Sequence, residues 1–218
     1  MFDVIFMSNG EPNAEENFQR LKTFVPWAQQ TTGACSIHQA HRNAANLSAT
    51  HWFFTVDGDN WITDPRVFFG DPPWREKWHA RSVGICRATN PTNDLVYGWG
   101  GVKLWNKTLL AQAPSEYQDF TMTFPLYTIN CVASEHRYNT TAWNTWRSVV
   151  REIVKLKQQQ TEIAQQRLCK WRQLRDEFDY RNEYIHALQW AQNNPSIDIN
   201  NWQALRQAYE REFECHAV

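Results

Sequence analysis

The 218-residue chain predicts an α/β protein: a mostly parallel sheet flanked by helices, with a helical extension at its C-terminal end. Three observations lead there. Phe2-Asp3-Val4-Ile5-Phe6-Met7 and His51-Trp52-Phe53-Phe54-Thr55-Val56 are apolar runs continuous enough for strands buried on both faces. Two segments of helical spacing lie between them. Beyond Thr141 the pattern changes to a 3.6-residue repeat of Trp146, Val149, Val150, Ile153 and Leu156. The expected division is an α/β unit over 1–140 and a helical extension over 141–218.

Each element has a local reason. The first strand runs into Ser8-Asn9-Gly10, residues that favour a turn. Asn13-Ala14-Glu15-Glu16 reads as a helix start, with Asn13 as N-cap and an acid three residues on, and Val25-Pro26 ends that helix. Ser36 caps the second helix. There Ile37, Ala40, Ala44 and Leu47 form the apolar stripe and His38, His41, Arg42, Asn43 and Asn46 the polar side. Residues 61–81 read as loop, 83–88 as a strand, and Asn90-Pro91-Thr92-Asn93 as a turn. A strand, a glycine turn and another strand follow over 95–105, with a last strand over 126–133. One long helix is expected from Thr141 towards Arg175, and two more near 181–193 and 201–213.

Bulk charge excludes a wholly basic nucleic-acid glove, since the net charge is −1. The distribution is uneven: net −3 over 1–136, +5 over 137–181 and −3 over 182–218. Cys35, Cys86, Cys131, Cys169 and Cys215 form no CxxC and are odd in number, which argues against a disulfide framework or zinc knuckle and fits a reducing cytosol. The N-terminus lacks the basic start and long apolar core of a signal peptide, and no stretch reaches the roughly 20 apolar residues that span a bilayer. A soluble, cytoplasmic protein with no membrane partner is expected. The 12 tryptophans serve either core packing or stacking on sugars and bases.

The chemistry concentrates where the second buried strand reaches Asp57-Gly58-Asp59. In an extended backbone residues i and i+2 share a face, so both carboxylates emerge together. Two such charges at the end of a buried strand repel and lose hydration unless one protonates or a cation sits between them. Hard oxygen donors suit Mg2+ or Mn2+, and Mg2+ keeps positions open for substrate phosphates. The carboxyl end of a strand in an open α/β sheet is also where ligands bind. An EF-hand is excluded, because its fifth and sixth positions fall on Trp61 and Ile62. A plain Asp-Gly turn is the competing reading.

The segment IHQAHRNAANLSATHWFFTVDGDNW resembles the nucleotide-sugar site of GT-A, family 2-like glycosyltransferases, and the chain is most similar to small glycosyltransferase-like proteins of tailed phages. FDVIFMSNGEPNAEENFQRLK, NPTNDLVYGWGGVKLW and NTTAWNTWRSVVREIVKL carry the same resemblance, which extends from residue 2 to about 156. It implies a GT-A fold, a UDP-sugar donor and Mn2+ or Mg2+ as cofactor. It places Asp57 near the nucleoside and the metal, Asp59 on the metal, and Ser8, Asn9, Gly10 and Glu11 against the nucleotide. Arg42 would lie near the diphosphate or sugar. Gly100 and Gly101 would let the backbone approach the donor, and Lys103 would meet a phosphate. An inverting transfer needs a general base. Asp119 is the expected base, with Glu135 and His136 as rivals and His136 also a candidate third metal ligand. The Glu-Asp pair usual in the family is absent here.

Arg147 and Arg151 fall four residues apart on one helix face, suited to a diphosphate or an anionic acceptor, or to plain solvation. Three functions are open. The first is sugar transfer to 5-hydroxymethylcytosine in phage DNA, arabinosyl transfer included, with the basic 137–181 segment and Trp143, Trp146 and Trp171 tracking and stacking the nucleic acid. The second is transfer to a saccharide or protein. The third is a non-catalytic nucleotide-sugar-binding module.

Overall fold

A computed structural model describes residues 2–69, 81–98, 101–113, 120–199 and 201–214. It divides into two compact units, one of Met1–Pro91 with Val96–Arg137 and one of Thr92–Leu95 with Tyr138–Val218.

The first unit is α/β. Its described elements are β1 (Asp3–Met7), α1 (Ala14–Phe24), β2 (Gln29–Thr31), α2 (Ile37–Leu47), β3 (Trp52–Asp57), β4 (Asn60–Ile62), β5 (Val83–Thr89), β6 (Val96–Tyr97), β7 (Val102–Asn106), α3 (Lys107–Ala111) and β8 (Leu126–His136). The sheet runs β2-β1-β3-β7-β5-β8-β4, with β6 paired to β5. Parallel pairing joins β2, β1 and β3, and again β5 and β8. β7 is antiparallel to both β3 and β5. So β2, β1, β3, β5 and β8 all point one way, and β4, β6 and β7 run against them. The sheet is mostly parallel, as the long apolar runs require.

Alternation along β1 and β3 explains the two cores. Val4, Phe6, Phe54 and Val56 pack on one face with Leu21 of α1. Ile5, Met7 and Phe53 pack on the other with Ala44, Trp105 and Leu109. At about 25 cal/mol per Å2 of apolar surface, these layers supply the main stabilisation of the unit.

Local differences from the expected elements have physical causes. Asn13 precedes α1, but its side chain makes no cap bond. Its amide instead donates to the Arg137 carbonyl at 3.1 Å. Ser36 caps α2 as expected, accepting from the Gln39 amide. The buried face of α2 is rotated, however: His38, His41 and Ala44 are buried, whereas Ile37 and Leu47 are exposed. His41 turns inward because its Nδ1 lies 2.9 Å from the Ile37 carbonyl and its ring meets Trp105 edge-on at 5.0 Å. The 61–81 stretch begins with the end of β4 and a 3-10 turn at Pro65–Phe68; Trp74 and Trp78 lie outside the described residues.

The second unit is helical: α4 (Ala142–Gln159), α5 (Glu162–Trp171), α6 (Arg181–Asn193) and α7 (Trp202–Glu214). The single long helix expected here is two. Gln160 adopts φ 49°, the left-handed C-cap of α4, and the Thr161 hydroxyl accepts from the Ala164 amide to start α5. The core holds Trp146, Val149, Val150, Trp171, Tyr184 and Leu205. Trp146 and Trp171 are thus packing residues, and core filling accounts for them. No described helix is long and apolar enough to cross a membrane. Cys35, Cys86, Cys131 and Cys169 are free thiols, and Cys215 lies outside the described residues.

Candidate functional site

The acid pair stands where β3 ends. The apolar β3 is held on both sides, by β1 at Met7↔Asp57 and by β7 at Val56↔Val102, so Asp57 is delivered to a fixed point. Gly58 and Asp59 form the turn into β4. Lys103 of β7 is 7% exposed and donates from Nζ to Asp57 Oδ2 at 2.8 Å. His136 at the end of β8 places Nε2 2.8 Å from Asp59 Oδ2. Its Nδ1 is hydrogen-bonded to the Tyr97 hydroxyl.

Asp59 is held from a second direction. Asn60 Nδ2 donates to Asp59 Oδ1 at 2.9 Å. Asn17, fully buried on α1, donates from Nδ2 to the Gly58 carbonyl at 2.8 Å. The Arg137 amide donates to the Asp59 carbonyl at 2.7 Å. A third carboxylate lies over the turn: a Cβ on Gly58 would sit 2.9 Å from Glu11 Cδ. Glu11 Oε2 also accepts from the Asn9 amide at 2.7 Å.

The electrostatics follow. Burial lifts the Asp57 carboxyl above the ordinary range; Lys103 opposes this and Asp59 adds to it. Burial acts on Asp59 too, but His136 and Asn60 outweigh it and hold the carboxyl below the ordinary range. Burial raises Glu11, its hydrogen bond from Asn9 works against this, and both aspartates add to the rise. Three carboxyl groups thus meet the side chains of Lys103 and His136 at one point.

The expected site residues fall into three groups. Ser8, Asn9, Gly10, Glu11, Asp57, Asp59, Gly101, Lys103 and His136 cluster at this end of the sheet. Glu135 is nearby, but as the neighbour of His136 on β8 it points to the other side. There it accepts from Arg137 Nε at 2.7 Å, beside Trp61. Arg42 lines an open groove of about 330 Å3 with Asn46, Lys107 and Leu110. Lys107 follows Asn106, which pairs with Trp52, so this groove is at the opposite end of β3 from Asp57. Arg147 and Arg151 belong to the helical unit, with guanidinium carbons 4.1 and 5.9 Å from the Trp202 ring centroid. Gly100 and Asp119 lie outside the described residues.

Asn17, Asn60, Tyr97 and Ser134 have no counterpart among the expected residues. Asn17, Asn60 and Tyr97 fall within the segments that carry the resemblance, but it assigns them no role, and Ser134 falls outside those segments. Gly101 also has a second reason to be glycine. A Cβ there would come within 2.7 Å of Asn60 Cγ and 2.8 Å of Asp57 Cβ, so the acid pair itself requires it.

The carboxylate oxygens of Asp57 and Asp59 are hard donors that suit Mg2+ or Mn2+, whereas both ring nitrogens of His136 are already engaged, by Asp59 and by Tyr97, so the expected third metal ligand faces the acid pair as its hydrogen-bond partner instead. Among the described residues no three His, Cys, Asp or Glu side chains form a metal-holding group by themselves.

No protein-family model matches the chain, and no curated protein matches its sequence. Among solved structures it is similar to the bifunctional IspDF of Campylobacter jejuni, at 10% identity and TM-score 0.39 over 59% of this chain. The match covers 49% of that protein, about half its length. A glycosyltransferase involved in glycosylation of the PBCV-1 major capsid gives 12% identity and TM-score 0.37, over 64% of this chain and 94% of that one. S. aureus TarS 1-349 gives 9% identity and TM-score 0.42, over 97% of this chain and 92% of that one. At these identities and scores the likenesses transfer neither a residue role nor an activity.

Proposed function

We propose that the chain is a glycosyltransferase that moves a sugar from a UDP-sugar to a hydroxyl acceptor with Mn2+ or Mg2+. The observation that carries this is the convergence of Asp57 and Asp59 at the carboxyl end of a buried strand, each already facing a basic side chain. Asp57 and Asp59 would hold the cation. When bound, it would neutralise the charge that builds on the leaving diphosphate.

The chain's own residues do the rest. Lys103 offers an ammonium beside the acid pair, where it can move from Asp57 to a phosphate oxygen. His136, held by Tyr97, keeps Asp59 ionised. Glu11, lying over the turn, accepts from nucleoside hydroxyl or imide donors. Gly101 keeps the backbone open beside Asp57. Asp119 is the expected base for the acceptor hydroxyl.

The acceptor we favour is 5-hydroxymethylcytosine in DNA, with pentosyl transfer such as arabinosyl as one form. Support comes from the cationic and aromatic side chains Arg147, Arg151, Trp143 and Trp202 in the helical unit. A saccharide or protein acceptor is the second reading, and a non-catalytic nucleotide-sugar-binding module the third. The test incubates the protein, Mn2+ and a panel of UDP-sugars with 5-hydroxymethylcytosine DNA and weighs the nucleosides. A pentose or hexose mass gain supports the proposal. UDP release without that gain discards DNA and keeps the transferase. No UDP release from any donor favours the binding module.

A further inference from the structure

We infer that Asn60 is the positioning residue that sets the Asp57–Asp59 pair, joining the cation-binding carboxylate to the Gly101 turn. This rests on the reading of the acid pair as a cation site. Asn60 is 1% exposed, beside a cluster of charge. An amide there stays only if its polar atoms are satisfied, and the described contacts satisfy them from three segments. Nδ2 donates to Asp59 Oδ1 at 2.9 Å. Oδ1 accepts from the Ser134 hydroxyl at 2.7 Å and from the Gly101 amide at 3.3 Å.

The chemistry of the group matters. With Asn60 on Oδ1 and His136 on Oδ2, Asp59 is fixed from both ends, and each oxygen keeps a lone pair for a cation. A carboxamide does this without adding charge, so it neither repels nor replaces a cation. Lysine or arginine in its place would compete for the site. Ser134 has one assignable purpose here: its hydroxyl fixes which end of the amide faces Asp59. Gly101 completes the unit, because a side chain there would displace Asn60 and Asp57 together. A cation ligand is thus oriented through a neutral second residue, as metal ligands commonly are.

The test measures Mn2+ affinity of the full-length protein with UDP present, read against a blank of UDP alone, by electron paramagnetic resonance of the free ion. The variants are Asn60→Ala, Ser134→Ala and the double variant, each checked for folding by near-ultraviolet circular dichroism. Asn60→Ala should weaken Mn2+ binding at least about tenfold. Ser134→Ala should weaken it by about three- to fivefold, because Asn60 Oδ1 then keeps only the longer bond from the Gly101 amide. The double variant should be no weaker than Asn60→Ala alone, since Ser134 acts through Asn60. Where Asn60→Ala does not fold, a Ser134→Ala affinity within twofold of wild type overturns the inference. A folded Asn60→Ala protein within twofold of wild type, or losses that add in the double variant, also overturns it. A wild-type protein that takes up no Mn2+ with UDP present overturns the cation reading itself, and the role of Asn60 with it.

Discussion

The two units handle charge in opposite ways. At the end of β3 the α/β unit gathers Glu11, Asp57, Asp59, Lys103 and His136 into one place and fixes them with buried amides. The helical unit keeps its charges on the outside of an aromatic core. There Arg147 and Arg206 lie over Trp143, and Arg147 over Trp202, while Trp146 and Tyr184 fill the centre. Concentrating like charges opposes folding, so an arrangement that does it needs another purpose. Spreading cations over rings stabilises modestly and needs none. Substitutions in the first region should therefore change ligand binding most, and those in the second region stability most.

The largest effect tests the helical side. Trp146→Ala removes a fully buried ring and its hydrogen bond to His186. It should cost about 3–5 kcal/mol, read as a lower urea midpoint. A loss under about 1 kcal/mol would mean that the aromatic core is not what holds that unit.

Next comes Asp59→Asn. Losing several kcal/mol of charge stabilisation should cut Mn2+-dependent UDP release about 100-fold, while the melting temperature changes little. Equal losses of activity and stability would make the acid pair structural after all.

Acid should act through His41, which burial and the neighbouring Lys103 charge depress to about 3. The folded state then stays unprotonated while the unfolded state, near 6.5, takes the proton. Stability from this group is full above pH 6.5 and falls as the pH drops towards 3. The loss at pH 5 should be about 2 kcal/mol. Comparing the pH 7 and pH 5 midpoints of wild type and His41→Phe isolates it, because the variant should show a smaller difference.

The smallest change belongs to Arg147→Ala with Arg151→Ala. Each stacking contact is worth about 0.5–1 kcal/mol, so the fold should survive. If the helical unit meets DNA, modification of DNA should fall several-fold and become less salt-dependent, with donor hydrolysis unchanged. Matching losses in both would place these arginines in donor binding.

What the sequence reveals follows the range of the interactions. Asp57 is legible because the apolar strand that ends on it is local; Asp59 lies close by although Gly58 and Asp59 form a turn rather than extended strand, and Lys103 is legible only through the resemblance. Asn60 is not: its partners Gly101 and Ser134 stand 41 and 74 positions away. His41 misled for a related reason, since a polar label says nothing of a distant Trp105 that receives the ring. β2 was missed because Gln29-Gln30-Thr31 is a polar edge strand without alternation. The break at Gln160 carries no glycine or proline, and only Thr161, a good N-cap, marks it.

The placement of β7 has a consequence for biogenesis. Its antiparallel insertion is the only link in the described sheet between the β2-β1-β3 half and the β5-β8 half. In a chain growing from its N-terminus, β3 is complete long before Val102–Asn106 has been made. Until then Trp52–Asp57 presents a row of unpaired amides and carbonyls along an aromatic strand, the kind of edge on which nascent chains associate. Synthesis of β7 closes that interval, so the strand that carries Lys103 also covers this edge.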